Sequence, residues 1–124
     1  MNKFQKQIDK FAKDRNWSQF HNPKDLLLGI VEEIGEFRNI IKWEQDTEKI
    51  AKIIKEKKID VKDGIGDIYW FLALLANQTG VDINEAITEV IKSNEKRFPL
   101  KKTKDRHTNI HLGGHDGNRN LKSK

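Results

Sequence analysis

Cysteine is absent from this 124-residue chain, which excludes disulfides, thiolate metal sites and thiol chemistry. No apolar run approaches the roughly 18 residues that a membrane-spanning helix needs. The first 13 residues lack the apolar core of a secretory signal, and no alternating pattern is long enough for a β-strand. Together these absences lead us to expect a soluble, cytoplasmic, helical protein.

Prolines are also scarce. Only Pro23 and Pro99 occur, and both stand where predicted helices begin or end. Elsewhere apolar residues recur every three or four positions, which predicts an all-α fold, a bundle of four to five helices. The predicted helices span about 2–15, 23–43, 47–57, 60–78 and 83–98. The fourth is apolar nearly all round after Asp67, so we expect it to be the most buried helix.

The net charge of +5 is concentrated at one end of the chain. Residues 100–124 hold seven Lys or Arg and two Asp or Glu, so residues 1–99 carry equal numbers of acids and bases. We therefore expect a helical domain over residues 1–99 and a basic, flexible tail over residues 100–124. A neutral body argues against nucleic-acid binding, except through the tail.

Three carboxylates cluster in the second predicted helix, at Glu32, Glu33 and Glu36. At about 100° per residue, Glu36 shares a helix face with each of the other two, so their like charges repel. The next bases along the chain, Arg38 and Lys42, do not stand three or four residues from any of them. Carboxylates that flank a core need a cation or hydrogen-bond donors.

A second acidic pair lies in the fourth predicted helix. Asp63 and Asp67 are four residues apart and point the same way, and Asp67 directly precedes the most apolar segment of the chain. Two such helices side by side would form an oxygen-ligand site suited to Mg²⁺ or Mn²⁺. The alternative is that these acids pair with bases from other helices or face water. The glycines among them, at positions 35, 64 and 66, are compatible with a bound ligand or with tight helix packing.

This acidic pattern resembles the MazG-like superfamily of all-α nucleotide pyrophosphohydrolases, whose hallmark is Glu-Glu-x-x-Glu followed, after a spacer, by Glu-x-x-Asp. Glu32, Glu33 and Glu36 match the first half of the hallmark, and Asp67 matches its last acid. Gly64 stands where the second half has glutamate. Asp63, one residue earlier, is the candidate replacement.

Two further segments are similar to the dCTP pyrophosphatase branch of that superfamily. Residues 17–23 look like the segment before the first acidic helix of the branch, and residues 94–99 look like its closing element, with Phe98 where tyrosine is usual. The resemblance implies a nucleotide pocket, for which we expect base contacts and phosphate contacts. The candidates are Trp17, His21, Trp43 and Asn94 for the base and Lys92, Lys96 and Arg97 for the phosphates.

The resemblance implies Mg²⁺-dependent hydrolysis of a (deoxy)nucleoside triphosphate to monophosphate and pyrophosphate, with Mn²⁺ as a possible substitute. Such an enzyme would serve nucleotide-pool housecleaning, as a homodimer or homotetramer. Glu32 or Glu36 is expected to accept the proton of the attacking water. The expected metal ligands are Glu33, Glu36, Asp67 and Asp63.

Two other interpretations stay open. A non-catalytic helical module could contact nucleic acid or protein through the basic tail, and the departure at Gly64 favours this alternative. A metal site in the tail is a weaker alternative, suggested by His107, His111 and His115 at a spacing of four. The glycine pair at positions 113 and 114 disfavours the helix that this spacing would need.

Overall fold

The computed structural model describes residues 1–104, and all regular structure within them is helical. This confirms the predicted all-α fold. A 3₁₀ turn, Ser18–Phe20, lies between the first two helices, and a four-residue helix, α6 (Leu100–Thr103), ends the described part. The five longer helices are α1 (Lys3–Asp14), α2 (Pro23–Arg38), α3 (Thr47–Glu56), α4 (Lys58–Thr79) and α5 (Ile83–Arg97).

The chain divides into two compact units, Met1–Ala86 and a second unit that begins at Ile87. The predicted division at residue 99 into a domain and a basic tail stays a prediction. The tail histidines His107, His111 and His115 lie outside the described residues. Among residues 1–104, none of the helices combines the length and the apolar character needed to cross a membrane.

Capping side chains fix several helix ends where the sequence predicts them. The Asn22 side chain accepts the Asp25 backbone N–H at 2.9 Å, and Pro23 takes the first position of α2. Asp46 accepts the Glu48 backbone N–H at 2.9 Å at the start of α3. Gly80 ends α4 with φ of 70°, a left-handed conformation that favours glycine.

The second helix ends earlier than predicted, at Arg38 instead of about Trp43. Beyond Arg38 the backbone bonds span three residues instead of four: the Ile40 N–H donates to the Phe37 carbonyl and the Ile41 N–H to the Arg38 carbonyl. Asn39 and two β-branched isoleucines follow the last helical residue, and such residues lower helix propensity. Trp43 therefore lies in a turn and not on a helix face.

Helix α4 is the centre of the first unit, since it packs against α1, α2 and α3. The core that it forms is small and includes two alanines, which allow close approach of the helices. One face of α4 stays uncovered, with Ile65 and Leu72 exposed, although the sequence predicts α4 to be the most buried helix. The core cluster is Ile8, Ala12, Leu26, Ala73 and Leu74.

A glutamine at the core joins α1 to the far end of α4. The Gln5 side chain is fully buried, and its Nε2 donates to Asn77 Oδ1 at 3.1 Å and to the Val81 carbonyl at 2.7 Å. Its Oε1 accepts the Ile83 backbone N–H at 3.0 Å. This side chain satisfies backbone groups at the α4–α5 corner that would otherwise be buried without partners.

We predict that Gln5→Leu lowers the free energy of unfolding by about 2–4 kcal/mol, because it leaves buried donors and acceptors unpaired. Urea unfolding followed by circular dichroism measures the change. Gln7→Leu is the matched control, since Gln7 is exposed two residues away on the same helix. Equal stability of the two variants would contradict this role for Gln5.

Candidate active site

The two acidic segments lie on neighbouring helices that pack closely, α2 and α4. A Cβ placed on Gly29 would lie 2.6 Å from the Phe71 ring, and one placed on Gly64 would lie 2.5 Å from the Phe37 ring. Gly29 lies early in α2 and meets Phe71 late in α4, whereas Phe37 lies late in α2 and meets Gly64 early in α4. The two helices therefore run antiparallel. In this register, Glu33 of α2 lies within the electrostatic reach of Asp67 of α4, and Phe37 of α2 lies over Gly64.

A small cavity of about 190 Å³ opens between these helices. Its lining combines five carboxylates with two apolar side chains and one glycine. Four of the five carboxylates are metal ligands expected from the sequence. The lining residues are Glu33, Glu36, Phe37, Ile40, Asp60, Asp63, Gly64 and Asp67.

The carboxylates of the cavity repel one another. Partial burial raises the pKa of Glu33 above its ordinary value, and the negative charges of Glu36, Asp67 and Glu32 raise that pKa further. Within residues 1–104, no lysine, arginine or histidine forms an ion pair with any acid of the cavity. The alternative that bases from other helices neutralise these acids therefore finds no support in the described part of the chain.

Phe37 explains the glycine at position 64. The Phe37 ring lies directly over Gly64, and a Cβ there would sit 2.5 Å from ring atom Cδ2, closer than real side chains approach. Any residue other than glycine would force the ring to move. Tight helix packing, one of the two interpretations of this glycine, accounts for it.

The donor set fits a hard divalent cation in type and charge. Carboxylate oxygens are the ligands that Mg²⁺ prefers, and Mg²⁺ is usually held by one or two carboxylates together with water and substrate phosphates. In the described residues, no three acidic or histidine side chains converge closely enough to hold an ion by themselves. The cavity thus supplies suitable oxygens on both walls without forming a closed cage.

Glu32, the other candidate base, lies on α2 but does not line this cavity. Its exposed carboxylate acts on the site through its charge, as one cause of the raised pKa of Glu33. Glu36 is therefore the one of the two candidate bases that the structure places in the cavity wall.

The aromatic and histidine candidates of the first unit differ in their surroundings. Trp43 is 85% exposed, with the Lys42 ammonium 5.0 Å from its ring centre. Trp17 is 42% exposed and packs edge-on against Phe11, with ring centres 5.6 Å apart. His21 is half-buried, and its Nδ1 is buried without a hydrogen-bond partner in the described part of the chain.

The remaining candidates lie on α5 in the second unit. Asn94 is half-buried, and its backbone carbonyl accepts the Phe98 backbone N–H at 2.8 Å. Lys92 and Lys96 are exposed and four residues apart, so they share one helix face. Arg97 is also exposed, with its guanidinium 5.1 Å from the Phe98 ring centre. Their part in phosphate binding stays a prediction.

Sequence reasoning missed two residues of the cavity, Asp60 and Phe37. Asp60 was placed at the start of the fourth predicted helix, but α4 begins at Lys58, so Asp60 lies inside the helix. Its spacing of three from Asp63 and seven from Asp67 puts it on their face. That spacing was a signal in the sequence. Nothing in the sequence indicated that Phe37 would cover Gly64.

The fold and the cavity define a class: an all-α protein in which two antiparallel helices present carboxylates to each other. A model of the MazG-like family matches residues 31–111, which include both acidic segments. The chain belongs to the MazG-like family.

Individual relatives agree with this assignment. The chain is 33% identical to mouse dCTP pyrophosphatase 1 over 91 residues, which cover 73% of this chain and 54% of that protein. It is 31% identical to human dCTP pyrophosphatase 1 over 90 residues, covering 72% and 53%. The chain thus spans about half the length of the curated relatives it matches.

A crystal structure of a pyrophosphatase from Archaeoglobus fulgidus has the same fold. It superposes with a TM-score of 0.69 and is 25% identical in sequence, and the match covers 74% of this chain and 85% of that one. The helical arrangement described above is therefore that of a known pyrophosphatase structure.

We predict that the pKa of Glu33 lies above the ordinary value of a glutamate in the metal-free protein, measured by NMR titration of the glutamate carboxyl carbons. Because the folded-state pKa is raised, the free energy of unfolding should fall as the pH rises through it. Glu36→Gln and Asp67→Asn should each lower this pKa, whereas Glu56→Gln, on α3, should not. A Glu33 pKa at or below that of the exposed Glu56 in the same titration would contradict the electrostatics described here.

Proposed function

We propose that this protein hydrolyses a nucleoside triphosphate to the monophosphate and pyrophosphate in a reaction that needs a divalent cation. The observation that carries the proposal is the cavity between α2 and α4, whose carboxylates lack ion-pair partners among residues 1–104. Family membership and the dCTP pyrophosphatases among its relatives support the same reaction.

Glu33, Glu36 and Asp67 are the proposed holders of Mg²⁺ or Mn²⁺, with Asp63 as the fourth acid suggested by the sequence. When bound, the cation would neutralise triphosphate oxygens and favour deprotonation of the attacking water. Glu36 is the proposed general base, favoured over Glu32 because it lines the cavity. The water oxygen attacks the α-phosphorus, the bond to the bridging oxygen breaks, and pyrophosphate leaves.

The base and the phosphate tail need contacts outside the carboxylate cavity. Trp43 is the strongest candidate for stacking on the base, because its ring is almost fully exposed. The buried, unpartnered Nδ1 of His21 has hydrogen-bonding capacity left for a ligand. The remaining proposed contacts are Trp17 and Asn94 for the base and Lys92, Lys96 and Arg97 for the phosphates.

A panel of nucleoside triphosphates, beginning with dCTP, tests the reaction by chromatography of the products with Mg²⁺ and with EDTA. We expect Glu33→Gln and Asp67→Asn to lower turnover by roughly 100-fold or more, the scale for losing a group that controls charge at a transferring phosphate. Both variants should keep the helical circular dichroism of the wild type.

Glu56→Gln is the control for loss of one negative charge, because Glu56 is exposed at the end of α3 and does not line the cavity. Its turnover should equal that of the wild type. Full turnover in a folded Asp67→Asn protein would refute the proposed metal site.

We further propose that the chain works as a homodimer or homotetramer in the nucleotide-pool housecleaning of the cytoplasm. The support for self-association comes from α2, which carries a second apolar face besides the one packed on α4. Val31 on that face is 65% exposed and Leu28 is 56% exposed. An uncovered apolar face of this kind favours burial against another copy of the chain. The face comprises Leu27, Leu28, Val31 and Ile34.

Light scattering during size-exclusion chromatography should therefore show a mass at least twice that of one chain. Val31→Lys should shift the protein toward the monomer, because it places a charge in the apolar contact. Ala51→Lys is the control, an exposed position on α3. A wild-type monomer at high micromolar concentration would contradict self-association.

A further inference from the structure

The cavity has no carboxylate at position 64, where the MazG-like pattern has a glutamate and this chain has glycine. In the antiparallel register of α2 and α4, Glu33 lies close enough to Asp67 to feel its negative charge. One helical turn further along α2, the Phe37 ring faces Gly64, and the neighbouring Glu36 lines the cavity with no acid at position 64 to pair with it. Because the Phe37 ring occupies the space over Gly64, a side chain at that position could complete a second acidic pair only if the ring moved.

Among the cavity acids of α4, Asp60 stands closest to Gly64 in angle around the helix axis. At about 100° per residue, Asp60 stands about 40° around the helix axis from Gly64, whereas Asp63 stands about 100° away. Side chains on a helix lean toward its N-terminus. A glutamate at position 64 would therefore lay its carboxylate over the preceding turn, which is the turn that carries Asp60.

The structure places Asp60 in the cavity wall together with Glu36 and Ile40. Asp60 forms no ion pair within the described residues, although lysines stand at positions 57, 58 and 62. It lies in the first turn of α4, on the same helix face as Asp63 and Asp67. An oxygen donor without an ion-pair partner among the described residues is thus available in the cavity wall.

We propose that Asp60 supplies the carboxylate that completes the divalent cation site in this chain, in place of an acid at position 64. Phe37 and Asp60 form a compensating pair: the ring closes position 64, and the aspartate one turn earlier restores the lost negative charge. This inference rests on the proposed function, because it assigns a ligand to the same metal site.

Titration of the full chain with Mn²⁺, followed by electron paramagnetic resonance of the free ion, measures affinity without any turnover. Replacing even an outer-shell partner of a metal ligand typically costs about 10–100-fold in affinity. We therefore expect Asp60→Asn to weaken Mn²⁺ binding at least about tenfold. Asp63→Asn should cost less than Asp60→Asn, and Glu56→Gln should leave the affinity unchanged.

The double variant Phe37→Ala/Gly64→Glu tests the compensation directly, since it opens the space over position 64 and places an acid there. In that background, Asp60→Asn should cost little Mn²⁺ affinity. An equal cost of Asp60→Asn in both backgrounds would show that Asp60 does not substitute for position 64. If the double variant fails to fold, the comparison of Asp60→Asn with Asp63→Asn decides alone.

The outcomes separate this inference from the proposed function. If the wild type binds Mn²⁺ and Asp67→Asn abolishes binding, but Asp60→Asn binds as the wild type does, the metal site stands and the role of Asp60 is refuted. If Asp63→Asn costs more than Asp60→Asn, the fourth ligand is Asp63. If the wild type binds no Mn²⁺, both the metal site and its assigned ligand fall.

Discussion

The close antiparallel packing of α2 on α4 joins the central helix of the first unit to its neighbour and positions the acids of both helices. Two glycines allow it, because Gly29 accepts the Phe71 ring and Gly64 accepts the Phe37 ring. The same register brings the acids of α2 opposite those of α4. Packing and charge therefore oppose each other at one interface, since apolar contact draws the helices together while their carboxylates repel. A divalent cation would resolve this conflict, which links the stability of the fold to the proposed activity.

Much of this arrangement could be predicted from the sequence, because its signals are local. Asn22, Asp46 and Gly80 mark helix ends through short-range hydrogen bonds or backbone conformation, and periodicity reveals the helices between them. The end of α2 escaped prediction because Ile40 and Ile41 continue the apolar pattern although the helical bonding has stopped. Periodicity reports which residues are apolar, and it does not report where the backbone changes its hydrogen bonds.

For the candidate site, the sequence predicted the spacing of the acids within each helix but not the contacts between the helices. Glu33 and Glu36 on one helix and Asp67 on another were evident from their helical intervals and from resemblance to a family pattern. The pairing of Phe37 with Gly64 depends on the register between two helices, which no single segment encodes. Asp60 was overlooked for a related reason: its importance follows from the closed position at Gly64, and that closure is a tertiary contact.

The proposed function requires that water attack the α-phosphorus of a nucleoside triphosphate in a reaction that depends on the carboxylate cavity. Hydrolysis of dCTP in ¹⁸O-labelled water, with the products analysed by mass spectrometry, shows which product receives the water oxygen. We expect equal amounts of monophosphate and pyrophosphate, with the label in the monophosphate and no reaction in EDTA. Release of diphosphate and inorganic phosphate, or no product from any nucleotide with a folded, Mg²⁺-supplied protein, would refute attack at the α-phosphorus.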